Sequence, residues 1–426
     1  MARYYAFHRF LFVLFILCTN PDVENKKKEL CGFLYGIVLP DPKSIYPHTK
    51  DNNIDKLIAD LKELGINAVR VNTAANSPSG FLRRYDNKYT VSEVSEKVIQ
   101  DYSNLADFSH YNLFLKKLKE NFGDNIITIG IASIGYTTAL PCYRTDDCPF
   151  KLEPNLEEKS ERLPKRYLPD VVGKEYFLGW AYLNTRALVR NLKGLVDIWQ
   201  VENEVNVTCE TVIFGWRHGA SWCSREFVRN LVKTIYQAIK DEDEKALTTI
   251  NLHTDFLSHI DVAQKGEWIK GGIEVDLEDF WDSMDIVGFD FYPNYIAVVS
   301  GSENASNPDK AKSVSVTINA IKDFIDKKIK KPVVIIETGY PSAPEELGFS
   351  ETKQAEYLSN IFKNSQDAIN GVIYYTFSTS ETFDPERPKY QQVESYFGLI
   401  RADGTRKIAF ETYKNLQKDN KKTWCK

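Results

Sequence analysis

The chain of 426 residues is 43% hydrophobic, 13% aromatic and 27% charged, a balance that excludes a disordered or fibrous polypeptide and allows a full buried core. A formal net charge of −5, with no basic stripe interleaved with aromatics, argues against a nucleic-acid partner. The lysine runs at 26–28, 327–331 and 418–422 lie beside helix ends or termini and read as solvated surface.

At the N-terminus, Arg3 and Arg9 precede the apolar run Phe10 to Cys18, which gives way to a polar stretch. This layout predicts a signal peptide or N-terminal anchor over residues 1–24, and hence a secreted or extracellular protein. The run is too short to span a bilayer comfortably, and no other membrane association is expected. Removing the leader takes away Cys18 and leaves Cys31, Cys142, Cys148, Cys209, Cys223 and Cys425. Their spacing suits disulfide staples at Cys142–Cys148 and Cys209–Cys223, with Cys31 and Cys425 pairing by elimination. Of two glycosylation sequons, at Asn206 and Asn304, only the second sits in a stretch that reads as an exposed loop.

Beyond the leader, short β-branched or apolar runs alternate with longer amphipathic stretches, the pattern of successive βα units. Strands are predicted at 31–39, 67–73, 126–134, 196–205, 247–254, 285–293, 332–341 and 371–379. Helices are predicted at 53–65, 108–123, 175–194, 225–244, 316–331, 352–368 and 409–422, and the stretches 76–97 and 142–170 read as long loops shaping a cleft. Eight such units within residues 30–420 fit a single α/β domain, one (β/α)8 barrel with enlarged loops. A doubly wound sheet is disfavoured because the first strand runs into a proline-containing loop with no glycine-rich fingerprint.

In such a barrel the carboxyl ends of the strands form the site, so polar residues stranded there draw attention. Arg70 and Asn72 end the second strand, Glu202, Asn203 and Glu204 the fourth, and Glu337 the seventh. A carboxylate buried at an apolar strand end is costly unless it is paired. Two glutamates converging on one pit supply a reason: one can donate a proton while the other attacks the positive carbon, as in glycoside hydrolysis. No HExxH, paired histidine or Asp-rich loop points to a metal, and no cofactor is expected.

The motif "VENEVN", followed 133 residues later by "IETGYPS", resembles the acid/base and nucleophile motifs of glycoside hydrolase clan A. The wording "ETGYPS" and the ending "FGLIRADGTRK" are most similar to the β-1,3-glucanase type family, while "WQVENEVN" also resembles the endo-β-1,4-galactanases of that clan. The resemblance implies a retaining (β/α)8 β-glycosidase acting on a β-linked carbohydrate, with Glu204 as acid/base and Glu337 as nucleophile. It further implies that Asn203 holds the sugar 2-hydroxyl, that Arg70 steadies the nucleophile and that Tyr292 lies near it. Clan members often carry a strand-eight tryptophan as a sugar platform; here Tyr375 or Phe377 is expected to serve. His253, at the end of strand five, is the one histidine placed for substrate contact, with a structural role as its alternative. Glu202 is then a structural carboxylate and the rival for the acid/base position. Two other readings stay open: a wall-remodelling transglycosylase on the same site and a catalytically silent glycan-binding barrel.

Overall fold

The computed structural model describes residues 30, 32–39, 54–73, 89–105, 108–133, 169–207, 220–254, 277–292, 331–379, 381, 393–416 and 418, with helical positions at 314–315, 318–319, 321–323 and 326. The expected leader, the sequon at Asn304 and every cysteine but Cys223 lie outside these residues.

Nine strand segments form one parallel sheet: β1 Leu34–Leu39, β2 Ala68–Val71, β3 Ile127–Ala132, β4 Ile198–Val201, β5 Leu247–Ile250, β6 Leu252–His253, β7 Val287–Asp290, β8 Val333–Thr338 and β9 Gly371–Tyr374. Their order is β5-β4-β3-β2-β1-β9-β8-β7-β6. The two ends of that order are consecutive in the chain, because β5 and β6 are the expected fifth strand broken at Asn251. A parallel bridge from Thr249 to Ile286 closes the seam, and the result is a (β/α)8 barrel.

Side-chain alternation sorts the strand residues into two apolar layers. Leu34, Val38, Ala68, Ile127, Ile129, Ile198, Leu247, Ile286, Val334, Ile336 and Ile373 fill the barrel. Their neighbours, among them Tyr35, Ile37, Val69, Trp199, Val201, Val287, Phe289 and Ile335, pack outward against the helices. Those helices are α1 Ile54–Leu64, α2 Glu96–Leu105, α3 Ser109–Phe122, α4 Pro169–Val172, α5 Lys174–Leu192, α6 Arg225–Glu242, α7 Glu351–Ser365 and α8 Ile408–Lys414. In α1 the buried residues Leu57, Ile58, Leu61 and Leu64 recur three and four apart, the stripe that seats a helix on a sheet. Ser224 and Ser350 cap α6 and α7 by accepting from the amides of Phe227 and Lys353.

α2 was not among the expected helices and overlaps the end of the expected loop over 76–97 only at Glu96 and Lys97. It buries Ile99 and Tyr102 against Leu183 and Ala187 of α5. Glu96, exposed at its start, pairs with Arg186 and Arg190 of α5 at 2.7 Å each. Val98, packed beside Ile99 and Tyr102, completes an amphipathic face about as marked as that of α1.

Gly288 sets the closing seam. A Cβ there would lie 2.2 Å from the Ile250 carbonyl oxygen and 2.7 Å from the Thr249 hydroxyl, so β7 approaches β5 only because the side chain is absent. Gly288→Ala should lower the midpoint of thermal unfolding followed by circular dichroism, with a loss on the order of 1–3 kcal/mol from forced separation of the strands.

Candidate active site

Arg70 comes third in β2 and points into the barrel by alternation with Ala68. It is 2% exposed, and three of its nitrogens are engaged. Nε donates to Gln200 Oε1 at 2.6 Å, Nη1 to Glu337 Oε2 at 2.5 Å and Nη2 to Asn203 Oδ1 at 2.5 Å. One guanidinium thus joins residues from β2, β4, the turn after β4 and β8.

Asn203 Oδ1 also accepts from Gln200 Nε2 and Asn251 Nδ2, each at 3.0 Å. With donors crowding the oxygen, the amide nitrogen turns the other way and donates to Glu204 Oε2 at 3.3 Å. The break in the fifth strand at Asn251 is therefore part of the site. The turn that aims Asn203 and Glu204 has an unusual backbone: Glu202 and Glu204 take φ values of 58° and 43°. Non-glycine residues in this left-handed region cost of order 1 kcal/mol or more, and such conformations concentrate at functional sites.

Glu337 reaches the same point by a different device. Val334 and Ile336 face inward while Val333 and Ile335 face outward, so regular alternation would turn residue 337 toward the helices. The register instead slips: Phe289 pairs with Ile335, but Asp290 pairs with Glu337. This bulge directs Glu337 to Arg70 and leaves Thr338 bonded outward to the Phe291 carbonyl and the Tyr357 hydroxyl. The Tyr292 hydroxyl donates to Glu337 Oε1 at 2.9 Å, so both carboxylate oxygens are held. Burial and the negative charges of Glu337 and Asp290 push the Tyr292 phenol well up, so it stays a donor.

The expected site residues fall into two groups. Glu204, Glu337, Arg70, Asn203 and Tyr292 come together, and Tyr375 joins them. Its ring makes edge contacts with Tyr292 at 6.5 Å and Phe397 at 5.6 Å, and the charges of Glu337, Arg70 and Glu204 all act on its phenol. Phe377 does not join: it is fully buried in the layer between barrel and helices and offers no face for a sugar. Of the two rings expected as a platform, the one at the pit is Tyr375.

Glu202 is fully buried, and its carboxylate accepts from the Ser133 hydroxyl. Glu381, in the loop after β9, pairs at 2.6 Å with the buried Lys407 and serves the fold. His253 is buried, and its backbone exchanges two hydrogen bonds with the Asn206 side chain. The sequon at Asn206 is accordingly not an exposed acceptor.

Gln200, Asn251 and Asp290 were not singled out by the sequence. Each is a polar residue on the inward alternation of an apolar strand or at its break, the same signal that marked Glu204 and Glu337.

Among the described residues no group of three or more His, Cys, Asp or Glu side chains could hold a metal, and no helix is long and apolar enough to cross a membrane. What the arrangement offers is proton transfer and charge stabilisation by carboxyls around a fixed guanidinium.

Burial pushes the His253 imidazole down from 6.5 to about 4, so it is neutral in the folded protein near pH 7. Between those values the unfolded chain binds a proton that the folded one refuses, and stability falls as pH drops through the window. Urea unfolding from pH 7 to pH 4 should show a loss of up to roughly 3 kcal/mol that is absent in His253→Gln, read as the difference between the two curves.

No protein-family model matches the chain, and no curated protein matches it. Solved structures do share the fold. A family GH5_18 protein from Streptomyces cattleya, in complex with GlcNAc, superposes with a TM-score of 0.55 at 14% identity over 91% of this chain and 80% of its own. A family 39 glycoside hydrolase from Bacteroides cellulosilyticus gives 0.51 at 16% identity over 90% and 63%. A β-glucuronidase from an uncultured Clostridium gives 0.50 at 15% identity over 91% of this chain and 52% of its own, so this chain spans about half the length of that larger protein.

Proposed function

We propose that this protein is a retaining β-glycoside hydrolase of the clan A type, secreted, with a β-glucan as the substrate class. The observation that carries the reading is the continuous hydrogen-bonded path from Glu337 through Arg70 and Asn203 to Glu204 at the carboxyl ends of β8, β2 and β4. A guanidinium that holds one carboxylate directly and a second through an amide keeps the two in a fixed relation. That is the requirement for attack and protonation at one glycosidic bond.

In this reading Glu204 protonates the glycosidic oxygen while Glu337 forms a glycosyl-enzyme, and a water activated by Glu204 then releases the sugar with retained configuration. Asn203, its oxygen locked by three donors, presents its amide beside Glu204 to the sugar 2-hydroxyl. Tyr292 orients Glu337, and Tyr375 supplies an aromatic edge to the pit. The secretory part of the reading is supported by the apolar run at 10–18 behind Arg3 and Arg9.

A panel of β-linked polysaccharides, with products followed by chromatography, identifies the substrate and separates hydrolysis from transfer. On it Glu337→Gln should lose activity by about 10³-fold or more with an unchanged circular dichroism spectrum, and near-normal turnover by that variant sinks the proposal. Glu204→Ala should be impaired on the polysaccharide yet largely active on aryl glycosides with good leaving groups, which need no acid. An equal loss on both kinds of substrate rejects the acid/base assignment.

A further inference from the structure

Asp290 ends β7, on the inward alternation of Ile286 and Gly288. In register it lies beside Glu337 of β8 on one side and His253 of β6 on the other. It is fully buried, and neither carboxyl oxygen meets a hydrogen-bond donor among the described residues. Of the charges that act on its carboxyl, that of Glu204 comes first, ahead of Glu337. Two carboxyls set together in a buried site without donors are favoured with one proton between them.

We propose that Asp290 shares a single proton with Glu204 and is the positioning residue that keeps the acid/base supplied with it. The inference rests on the roles given above to Glu204 and Glu337. The surroundings agree with it. Burial first, then the negative charges of Glu204 and Glu337, hold the Asp290 carboxyl well above the usual carboxylate range, with the Arg70 charge opposing. The other titratable groups facing it are neutral: His253, its imidazole pushed down by burial, and the Tyr292 and Tyr357 phenols, pushed up by burial. Tyr375, on the far side of the pit, is likewise a neutral phenol.

The proton balance follows. In the first displacement the shared proton passes from Glu204 to the glycosidic oxygen as the C1–O bond breaks, and Glu337 gives an electron pair to C1 and becomes a neutral ester. The negative charge lost at Glu337 equals the one gained by the pair. That loss also removes a repulsion that had kept the proton on the pair, so release is coupled to bond formation. In the second displacement the attacking water gives a proton to the pair as its oxygen bonds to C1. The ester C1–O bond breaks, and Glu337 recovers its electron pair.

The test compares kcat/KM against pH for the wild type and Asp290→Asn on the best substrate of the panel. The wild-type basic limb reports loss of the last proton from two neighbouring carboxyls, whereas in the variant Glu204 titrates beside a neutral amide. The limb should therefore move to lower pH by about one unit or more. A limb that stays in place, whatever the change in rate, overturns the proposal, since a structural role would scale the profile without displacing it. An active Glu337→Gln would instead overturn the reading of the reaction, so the two failures are distinguishable. A second measurement needs neither turnover nor a folded Asp290 variant: the infrared carbonyl band of a protonated carboxylic acid at pH 7. Persistence of that band in Glu204→Ala assigns it to Asp290, and its disappearance there overturns the proposal.

Discussion

The guanidinium of Arg70 is the constraint around which the upper end of the barrel is arranged. Burying an ion costs several kcal/mol unless its hydrogen-bonding capacity is met, and breaking a buried pair by removing one partner typically costs about 3–5 kcal/mol. Arg70 meets that demand with a glutamine, an asparagine and a glutamate drawn from separate strands and a turn. The planar fork dictates where the three acceptors lie, which a lysine ammonium could not do. Much of the strain near the site reads as the backbone's accommodation to that fork. The left-handed residues after β4, the bulge in β8 and the break at Asn251 each deliver one polar group to the same small region.

The rest of the barrel makes this affordable by keeping the region dry and the strands close. The inner layer is aliphatic below Arg70, with Ala68, Ile129, Ile198 and Ile336 forming its floor. A low-polarity floor strengthens every charge interaction above it, and this is also why the carboxyl of Asp290, buried there without a donor, is held well above the usual carboxylate range. Gly288, two residues earlier on the same strand, allows the close strand approach that closes this floor.

Much of this was legible in the sequence because apolar runs and stranded polar residues are strong signals. All eight expected strands are present, and the residues at the ends of strands two, four and seven meet as expected. Three features were not read from the sequence. α2 has a periodic pattern about as marked as that of α1, but it follows directly on a long polar stretch that reads as a loop. A bulge changes which way residue 337 points without changing composition, so its position has no local signature. Phe377 and Tyr375 lie two residues apart and look alike in sequence. Only the path of the chain after β9 decides that one ring lines the pit and the other joins the core. Asp290 carries the same signal as Glu204 and Glu337, a carboxylate at the end of an apolar strand.

The slip in β8 also divides that strand into two zones with separate obligations. Below it, Val333 to Ile336 answer to the hydrophobic layers and tolerate aliphatic exchange of similar volume. Above it, orientation is everything. Uniform pleating of these same residues, without the slip, would turn the carboxylate out to where Thr338 now meets Tyr357. The molecule would keep its architecture and surrender its chemistry, so in this segment the path of the backbone matters more than the identity of the aliphatic residues.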